Sequence, residues 1–216
     1  MRFSTVYHKL HRQHGPQHWW PGETPFEVMA GAVLTQNTAW SNVEKAIANL
    51  RAARLLDAAA IVKTSPARLA KLLTPSGYFN VKARRLRSLC AWYVEQGGFD
   101  ALSRRATPRL RSELLAQHGI GPETADGILL YAFERPVFVI DAYTRRLFKR
   151  LGLIAGDESY EALRTGVERR FARGDDKVAL FNEFHALIVA HAKDICRPRP
   201  RCELCFLVRM CPSVVS

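Results

Sequence analysis

A short glycine-rich turn between two apolar helical segments constrains the fold of this chain most strongly. Residues 108–117 and 122–133 both follow a helical pattern, and the turn between them carries Gly119 and Gly121. Glycines in this spacing let the backbone turn tightly and come close to a ligand. Pro122 can open the second helix, whose first N–H groups and dipole favour an anion. The segment therefore predicts a phosphate-binding hairpin or an ordinary glycine-stopped helix pair.

Helical patterns cover most of the remaining chain, and strand signals are scarce. The predicted helices span 26–34, 42–53, 66–73, 81–96, 108–117, 122–133, 142–151, 160–171 and 178–195. Thr24-Pro25 and Ser65-Pro66 each offer a capping side chain followed by proline, which is typical of a helix start. The β-branched run at 137–140 fits a short strand or an extended loop. The sequence thus predicts an all-α protein with its helices packed around a cleft.

The bulk composition narrows the partners of the chain. Its 216 residues are 48% hydrophobic, enough for one compact domain or two small ones. The formal net charge of +12 attracts a polyanion, either nucleic acid or an anionic membrane surface. The sequence contains no run of about 18 apolar residues, the length needed to span a bilayer. The first residues have no apolar segment typical of a signal peptide, so we expect a cytoplasmic protein associated with the nucleoid and no membrane contact.

Four of the five cysteines lie close together near the end of the sequence. They are Cys196, Cys202, Cys205 and Cys211. In a cytosolic protein such a group indicates zinc or an iron–sulfur cluster more than disulfides. Zinc sites more often have two tightly spaced pairs, and here only one pair is tight. Cys90 lies in an amphipathic helix and is most simply a small buried side chain.

These motifs together resemble the helix-hairpin-helix DNA glycosylase superfamily, of which endonuclease III is a member. The resemblance covers roughly residues 26–211 and rests on the glycine hairpin with Thr124, the 34–38 segment, Asp141 and the cysteine group. It implies two helical subdomains flanking a DNA-binding cleft. We expect a six-helix barrel with the hairpin over 22–135. The second subdomain combines 1–21 with 136–216.

The resemblance also implies a [4Fe–4S] cluster in the loop at 196–211. The four clustered cysteines would be its ligands. The first gap between them is one residue shorter than the usual six of the family. We expect the cluster to orient DNA and not to take part in the reaction.

The resemblance makes Asp141 the catalytic residue. A carboxylate can stabilise the positive charge that develops on the sugar as a base departs, and can orient or deprotonate the attacking water. Asp141 also precedes a predicted helix and could simply cap it; the two roles are compatible.

Glu123 stands where endonuclease III has the lysine that forms a Schiff base with the sugar. A carboxylate cannot form an imine, so the resemblance implies release of the base without strand cleavage. Glu123 could instead line the base pocket and favour a cationic base, or simply interact with the helix dipole.

A flipped base needs an aromatic pocket, and the chain offers three tryptophans for it. Trp19, Trp20 and Trp40, with Glu123, resemble the 3-methyladenine glycosylase branch of the superfamily. Indole rings stack on bases and attract cations, which suits an N-alkylated purine. The simpler alternative is that these rings fill the core.

Other residues are predicted to contact DNA. Gln36 matches a glutamine that the family inserts into the base stack, and Tyr78, on a glycine turn, matches a second intercalating position. Tyr78 could equally fold back onto the core. The full predicted DNA-contacting set is Gln36, Tyr78, Lys82, Gly119, Gly121, Thr124 and Arg145.

The sequence thus predicts a monofunctional base-excision DNA glycosylase. It would act as a monomer on double-stranded DNA that contains a damaged base, with an alkylated purine such as 3-methyladenine as substrate. The alternatives are a bifunctional glycosylase/lyase for oxidised pyrimidines, a mismatch-specific glycosylase, a DNA-binding module without activity and a zinc-ribbon adaptor.

Overall fold

The regular structure of the described residues is helical throughout. A computed structural model describes residues 1–19, 22–171 and 176–214, and these residues contain no β-strand. The α-helices are α1 (Phe3–His14), α2 (Pro25–Leu34), α3 (Trp40–Ala52), α4 (Ala58–Lys63), α5 (Pro66–Leu72), α6 (Phe79–Glu95), α7 (Gly98–Ser103), α8 (Thr107–Leu115), α9 (Pro122–Tyr131), α10 (Ala142–Arg150), α11 (Tyr160–Arg170) and α12 (Lys177–Asp194). The all-α prediction is confirmed.

Each predicted helix is present, with ends within two residues of the predicted ones. Three observed helices were not predicted: α1, α4 and α7. The last two have only six residues each, too few for a periodic signal. In α1 only Val6 and Leu10 are buried, so its apolar face is narrow among polar neighbours.

The chain divides into two compact units. One, here the hairpin unit, comprises Trp20–Arg135, and the other, the split unit, comprises Met1–Trp19 and Pro136–Ser216. In the hairpin unit α2 packs against α3, α6 and α9. Helix α2 is nearly all apolar, and its buried Met29, Val33 and Leu34 lie in the core of this unit.

The split unit is organised around α12, which packs against α1 and α10. Its core is aromatic: Phe184 lies 5.5 Å from Phe138 and 5.9 Å from Phe148 between ring centroids. None of the described helices is long and apolar enough to cross a membrane.

The run 137–140 forms a buried segment without regular secondary structure and no strand. Buried backbone groups need hydrogen-bond partners, and here side chains supply them. The Phe138 N–H donates to Glu168 Oε1 at 2.9 Å, and the Ile140 N–H donates to the Tyr160 hydroxyl at 3.4 Å. This segment leads directly into Asp141.

Candidate functional site

A buried ion pair holds the two helices of the glycine hairpin together. Arg111 of α8 donates from Nε and Nη2 to the two carboxylate oxygens of Asp126 of α9, at 2.6 and 3.0 Å. The Asp126 side chain is fully buried. Breaking a buried pair is costly because it leaves a charge without compensation. The pair therefore fixes α8 against α9, and with them the turn that joins the two helices.

The start of α9 is open in front of its first turn. Gly121 is the N-cap, Pro122 opens the helix, and no side chain caps it. A Cβ added at Gly121 would meet no protein atom within 4 Å. The first turn of a helix has N–H groups without intrahelical partners and a positive dipole end, which suit an anion. The phosphate contact at this helix start stays a prediction.

Gly119 is required by the structure itself. Its φ of +78° lies in the left-handed region, and an added Cβ would lie 2.3 Å from Arg85 Nε. The Arg85 side chain of α6 therefore packs directly over the turn. A larger residue at 119 would strain the backbone and displace this arginine.

The Gln36 side chain is held against the hairpin. Its Nε2 donates to Gly119 O at 3.0 Å and to Thr124 Oγ1 at 3.1 Å, while its Oε1 accepts from Arg85 Nη1. The structure thus brings three predicted DNA-contacting residues into one network. To enter a base stack, the Gln36 amide would have to exchange these bonds for contacts with DNA.

Tyr78 is presented outward on a strained turn. Its side chain is 71% exposed, so the alternative in which it folds back onto the core is wrong. The φ of Tyr78 is +45°, in the left-handed region that few non-glycine residues adopt. Gly77 before it also has a positive φ, of +67°. The turn directs a large ring into solvent at the start of α6.

Lys82, which was predicted to contact DNA, is buried. It is 1% exposed, and its Nζ donates to Leu34 O at 2.8 Å and to Ser76 O at 2.5 Å. Burial, and next the charge of Arg85, lower the pKa of Lys82 to about 8. An ammonium without exposed surface cannot reach a phosphate, so the predicted contact is wrong for this residue.

Asp141 caps α10 with a carboxylate that is almost buried. Its side chain is 13% exposed, and Oδ1 accepts from the Thr144 N–H at 2.7 Å. Burial acts to raise the pKa of Asp141, but the contact with His185 and the hydrogen bonds from Thr144 outweigh it, and the pKa is lowered overall. The carboxylate is therefore ionised at neutral pH despite its burial.

His185 of α12 faces this carboxylate, and the sequence analysis missed it. Its Nε2 lies 3.4 Å from Asp141 Oδ2, and its side chain is 6% exposed. The Trp19 ring stacks on the His185 imidazole with 5.7 Å between centroids. The structure thus joins a predicted pocket residue to the predicted catalytic residue through this histidine.

The other predicted pocket residues lie in the hairpin unit or outside the described residues. Trp40 begins α3 and packs against Gly31 of α2, where an added Cβ would lie 3.1 Å from the indole. Glu123 is exposed in the first turn of α9. Trp20 falls outside the described residues.

The three arginines of α10 bind backbone carbonyls. Arg145 donates to Glu158 O at 3.0 Å. Arg146 donates to Cys196 O at 2.8 Å and to Ala192 O at 3.0 Å. Arg150 donates to Arg197 O at 2.6 Å and to Pro198 O at 2.9 Å. Helix α10 therefore carries Asp141 at its start and holds the beginning of the cysteine loop with its later residues.

The four clustered cysteines line one cavity, with side chains of α10 and α12 around them. Arg150 Nη1 lies 3.4 Å from Cys196 Sγ, and His191 Nε2 lies 3.6 Å from Cys205 Sγ. No group of three or more His, Cys, Asp or Glu side chains among the described residues is arranged to hold one metal ion. Each cysteine of a [4Fe–4S] cluster binds a different iron atom, so a common cavity is the relevant geometry. The donor set fits such a cluster.

Comparison with known proteins shows the family. Residues 30–173 match the model of the HhH-GPD superfamily of base excision DNA repair proteins. The chain belongs to this superfamily. It is 42% identical to a candidate DNA repair glycosylase of Methanocaldococcus jannaschii over 211 residues, which is 96% of this chain and 94% of that protein. It is 30% identical to endonuclease III of Thermotoga maritima over 191 residues, covering 87% and 82% of the two chains.

Two solved structures share the fold. The 3-methyladenine DNA glycosylase MagIII of H. pylori, bound to 1,N6-ethenoadenine, has a TM-score of 0.79 at 30% identity and covers 89% of this chain and 98% of its own. A non-covalent endonuclease III–DNA complex has a TM-score of 0.78 at 21% identity, covering 99% and 96%. The expected superfamily and the DNA repair glycosylase assignment are thereby confirmed.

Within this HhH-GPD chain, sequence reasoning missed residues that support the predicted functional residues of each unit. Arg85, Arg111 and Asp126 support the hairpin, and His185 supports Asp141. The sequence contained a signal for His185, because it is a polar residue inside the apolar helix α12. The sequence contained no signal for the Arg111–Asp126 pair, because the two residues are 15 positions apart and lie on either side of a turn.

Proposed function

We propose that this chain is a monofunctional DNA glycosylase that hydrolyses the N-glycosidic bond of an alkylated purine flipped out of double-stranded DNA. The observation that carries the proposal is the placement of Asp141. Its carboxylate is nearly buried yet has a lowered pKa, and it is held by the Thr144 N–H and by His185.

In the proposed reaction, Asp141 stabilises the charge that develops on the sugar. As the base departs, positive charge grows on the deoxyribose, and a fixed carboxylate lowers the energy of that state. The same carboxylate can orient or deprotonate the water that attacks the sugar. Because the helix cap holds one oxygen and the imidazole faces the other, the group needs little reorganisation during the reaction.

Glu123 supports hydrolysis without strand cleavage. It occupies the position of the Schiff-base lysine of endonuclease III, and it cannot form an imine. Lys82 is a poor substitute because its Nζ is buried and donates to two carbonyl oxygens. The proposed product is therefore an abasic site in an intact strand.

The proposed substrate class rests on the aromatic side chains. Trp19 and Trp40 are partly exposed indoles, and Trp20 lies beside Trp19 in the sequence. Such rings favour a cationic, N-alkylated base, and exposed Glu123 would add a negative charge. The MagIII structure, at 30% identity, is named as a 3-methyladenine DNA glycosylase bound to 1,N6-ethenoadenine.

Duplex DNA would be gripped through the hairpin unit. The open start of α9 suits a backbone phosphate. The exposed Tyr78 ring suits insertion between bases, and Gln36 would leave its hairpin contacts to fill the gap of the flipped base. The net charge of +12 favours capture of the polyanion.

The four clustered cysteines are proposed to hold a [4Fe–4S] cluster. The support is the cavity that all four line, together with the arginine and histidine side chains near their sulfur atoms. The cluster would supply a structural core for the loop. Purified protein should be brown and contain iron and acid-labile sulfide in equal amounts. A colourless protein containing zinc would refute this part.

The deciding experiment measures single-turnover base release from a panel of duplexes. The panel contains 3-methyladenine, 1,N6-ethenoadenine, an oxidised pyrimidine, uracil and a T·G mismatch. We expect release of the alkylated purines and little release of the others. Preferential release of the oxidised pyrimidine or of mismatched thymine would overturn the proposed substrate class.

Borohydride trapping on abasic DNA tests the absence of lyase activity. An imine-forming enzyme is captured covalently, whereas this chain should stay uncaptured. A Glu123→Lys variant is the matched comparison, because it restores an amine at that position. Covalent capture of the unmodified chain would favour the bifunctional alternative.

A further inference from the structure

Two candidate intercalating residues lie on segments that are distant in sequence. The Gln36 loop (residues 35–39) follows α2, and the Tyr78 loop (residues 74–78) precedes α6. If a chain of this kind inserts both side chains into one duplex, the distance between the two loops has to match the DNA.

One buried side chain connects the end of α2, directly before the Gln36 loop, with the Tyr78 loop. Lys82 Nζ donates to Leu34 O, at the last residue of α2, and to Ser76 O, within the Tyr78 loop. The carbonyl at the end of a helix has no intrahelical partner, so the ammonium satisfies a group that would otherwise be buried without one. The Lys82 backbone N–H also donates to Tyr78 O at 3.0 Å.

The contact has an energetic cost that an apolar side chain would avoid. No ion pair with a carboxylate is seen for Lys82 in the described part of the chain, and burial lowers its pKa to about 8. Tyr78 itself has a left-handed backbone, which persists only where neighbouring contacts hold it. The Lys82 ammonium holds this turn through Ser76 O, while its backbone N–H makes the first helical bond of α6 to Tyr78 O.

We infer that Lys82 is a positioning residue that sets the separation of the Gln36 and Tyr78 loops so that both enter the DNA together. The inference rests on the proposed glycosylase function. It assigns Lys82 to base extrusion, whereas the cutting of the glycosidic bond belongs to Asp141. A lysine that merely filled the core would affect stability alone.

The test compares one lesion in two contexts. Single-turnover release of 3-methyladenine is measured opposite thymine, where extrusion must break stacking and pairing, and opposite an abasic site, where it is easier. Lys82→Met keeps the apolar stem and removes the donors. We expect release opposite thymine to fall at least about tenfold more than release opposite the abasic site, since about 1.4 kcal/mol corresponds to tenfold.

Leu86→Ala is the matched control, because Leu86 is fully buried one turn further along α6. Its side chain has no donor for Leu34 O or Ser76 O, the two carbonyls that Lys82 binds. It should lower the free energy of unfolding and leave the ratio of the two release rates unchanged. An unchanged ratio in Lys82→Met, or an equal change in Leu86→Ala, would overturn the inference. If the unmodified chain releases no base from either duplex, the proposed function fails and the inference with it.

A double-mutant cycle gives an independent readout. If Lys82 acts through the Tyr78 loop, Lys82→Met should reduce the release ratio much less in a Tyr78→Ala background than alone. Full additivity would contradict the inference. Lys82→Gln, which keeps an N–H donor, should retain part of the ratio and provides a second variant should Lys82→Met fold poorly.

Discussion

The two units hold their functional side chains by opposite means. In the hairpin unit, cations on helices bind groups at helix ends and turns: Lys82 binds Leu34 O and Ser76 O, and Arg85 binds Gln36 over Gly119. In the split unit, an anion at a helix start is held by the helix itself and by His185. We therefore expect substitutions in the hairpin unit to affect DNA binding and base extrusion. Substitutions around Asp141 should affect cleavage of the glycosidic bond.

The sharpest test of this separation is Asp141→Asn. Asparagine caps a helix as well as aspartate does, so the fold and DNA binding should persist. Loss of the charge should slow single-turnover base release by at least about 10³-fold. Near-normal release would show that another group carries the reaction, and the chemistry could no longer be assigned to the split unit.

The next largest effect concerns stability of the hairpin unit. Asp126→Ala removes the bidentate partner of Arg111 and should lower the free energy of unfolding by about 3–5 kcal/mol. Glu161→Gln weakens the exposed pair with Arg164 in the split unit and should cost less than about 1 kcal/mol. Urea denaturation measures both, and equal losses would contradict the buried pair as the support of the hairpin.

A pair of glycine substitutions separates structure from DNA contact within the hairpin. Gly119→Ala meets a left-handed backbone and Arg85, so it should cost about 1–2 kcal/mol of stability. Gly121→Ser meets open space and adds a capping hydroxyl, so stability should hold. Its side chain would occupy the space proposed for a phosphate, and duplex affinity should fall. Unchanged affinity of Gly121→Ser would argue against that phosphate contact.

A further effect is a pH dependence that distinguishes the buried cation. The pKa of Lys82 is lowered to about 8 in the folded chain, whereas an unfolded lysine titrates near 10.4. Between these values the unfolded chain binds more protons, so stability rises with pH. Relative to Lys82→Met, the unmodified chain should therefore gain stability from about pH 8 to 10.4. Parallel pH profiles of the two proteins would show that Lys82 is not held as described.

The sequence predicted the helices, the family and the position of Asp141, because these follow from local patterns. Helix periodicity and proline starts mark the elements, and the buried run before Asp141 marks the start of α10. Lys82 was assigned to DNA because it lies among other basic residues of α6. Its spacing from Leu86 and Leu89 places it on the apolar face of the same helix, a signal that could have been used.

The contacts that fix the site could not be predicted, because they join residues far apart in the chain. The pairing of His185 with Asp141 spans two helices, and the contacts of Arg150 with the cysteine loop span more than 40 residues. Such pairs depend on the packing of helices, which local patterns do not encode. The Tyr78 turn combines a positive φ with a tyrosine, which residue preferences disfavour.

Helix α10 links Asp141 to the cysteine loop, so a change in the loop can affect the carboxylate. It has nine residues, a rod of about 14 Å, with Asp141 immediately before it and Arg150 at its end. A helix this short moves as one rigid body. If oxidation disturbed the cysteine loop, Arg150 would lose its partners Arg197 O and Pro198 O. We expect the proposed base release at Asp141 to weaken then, before the proposed DNA contacts of the hairpin unit do.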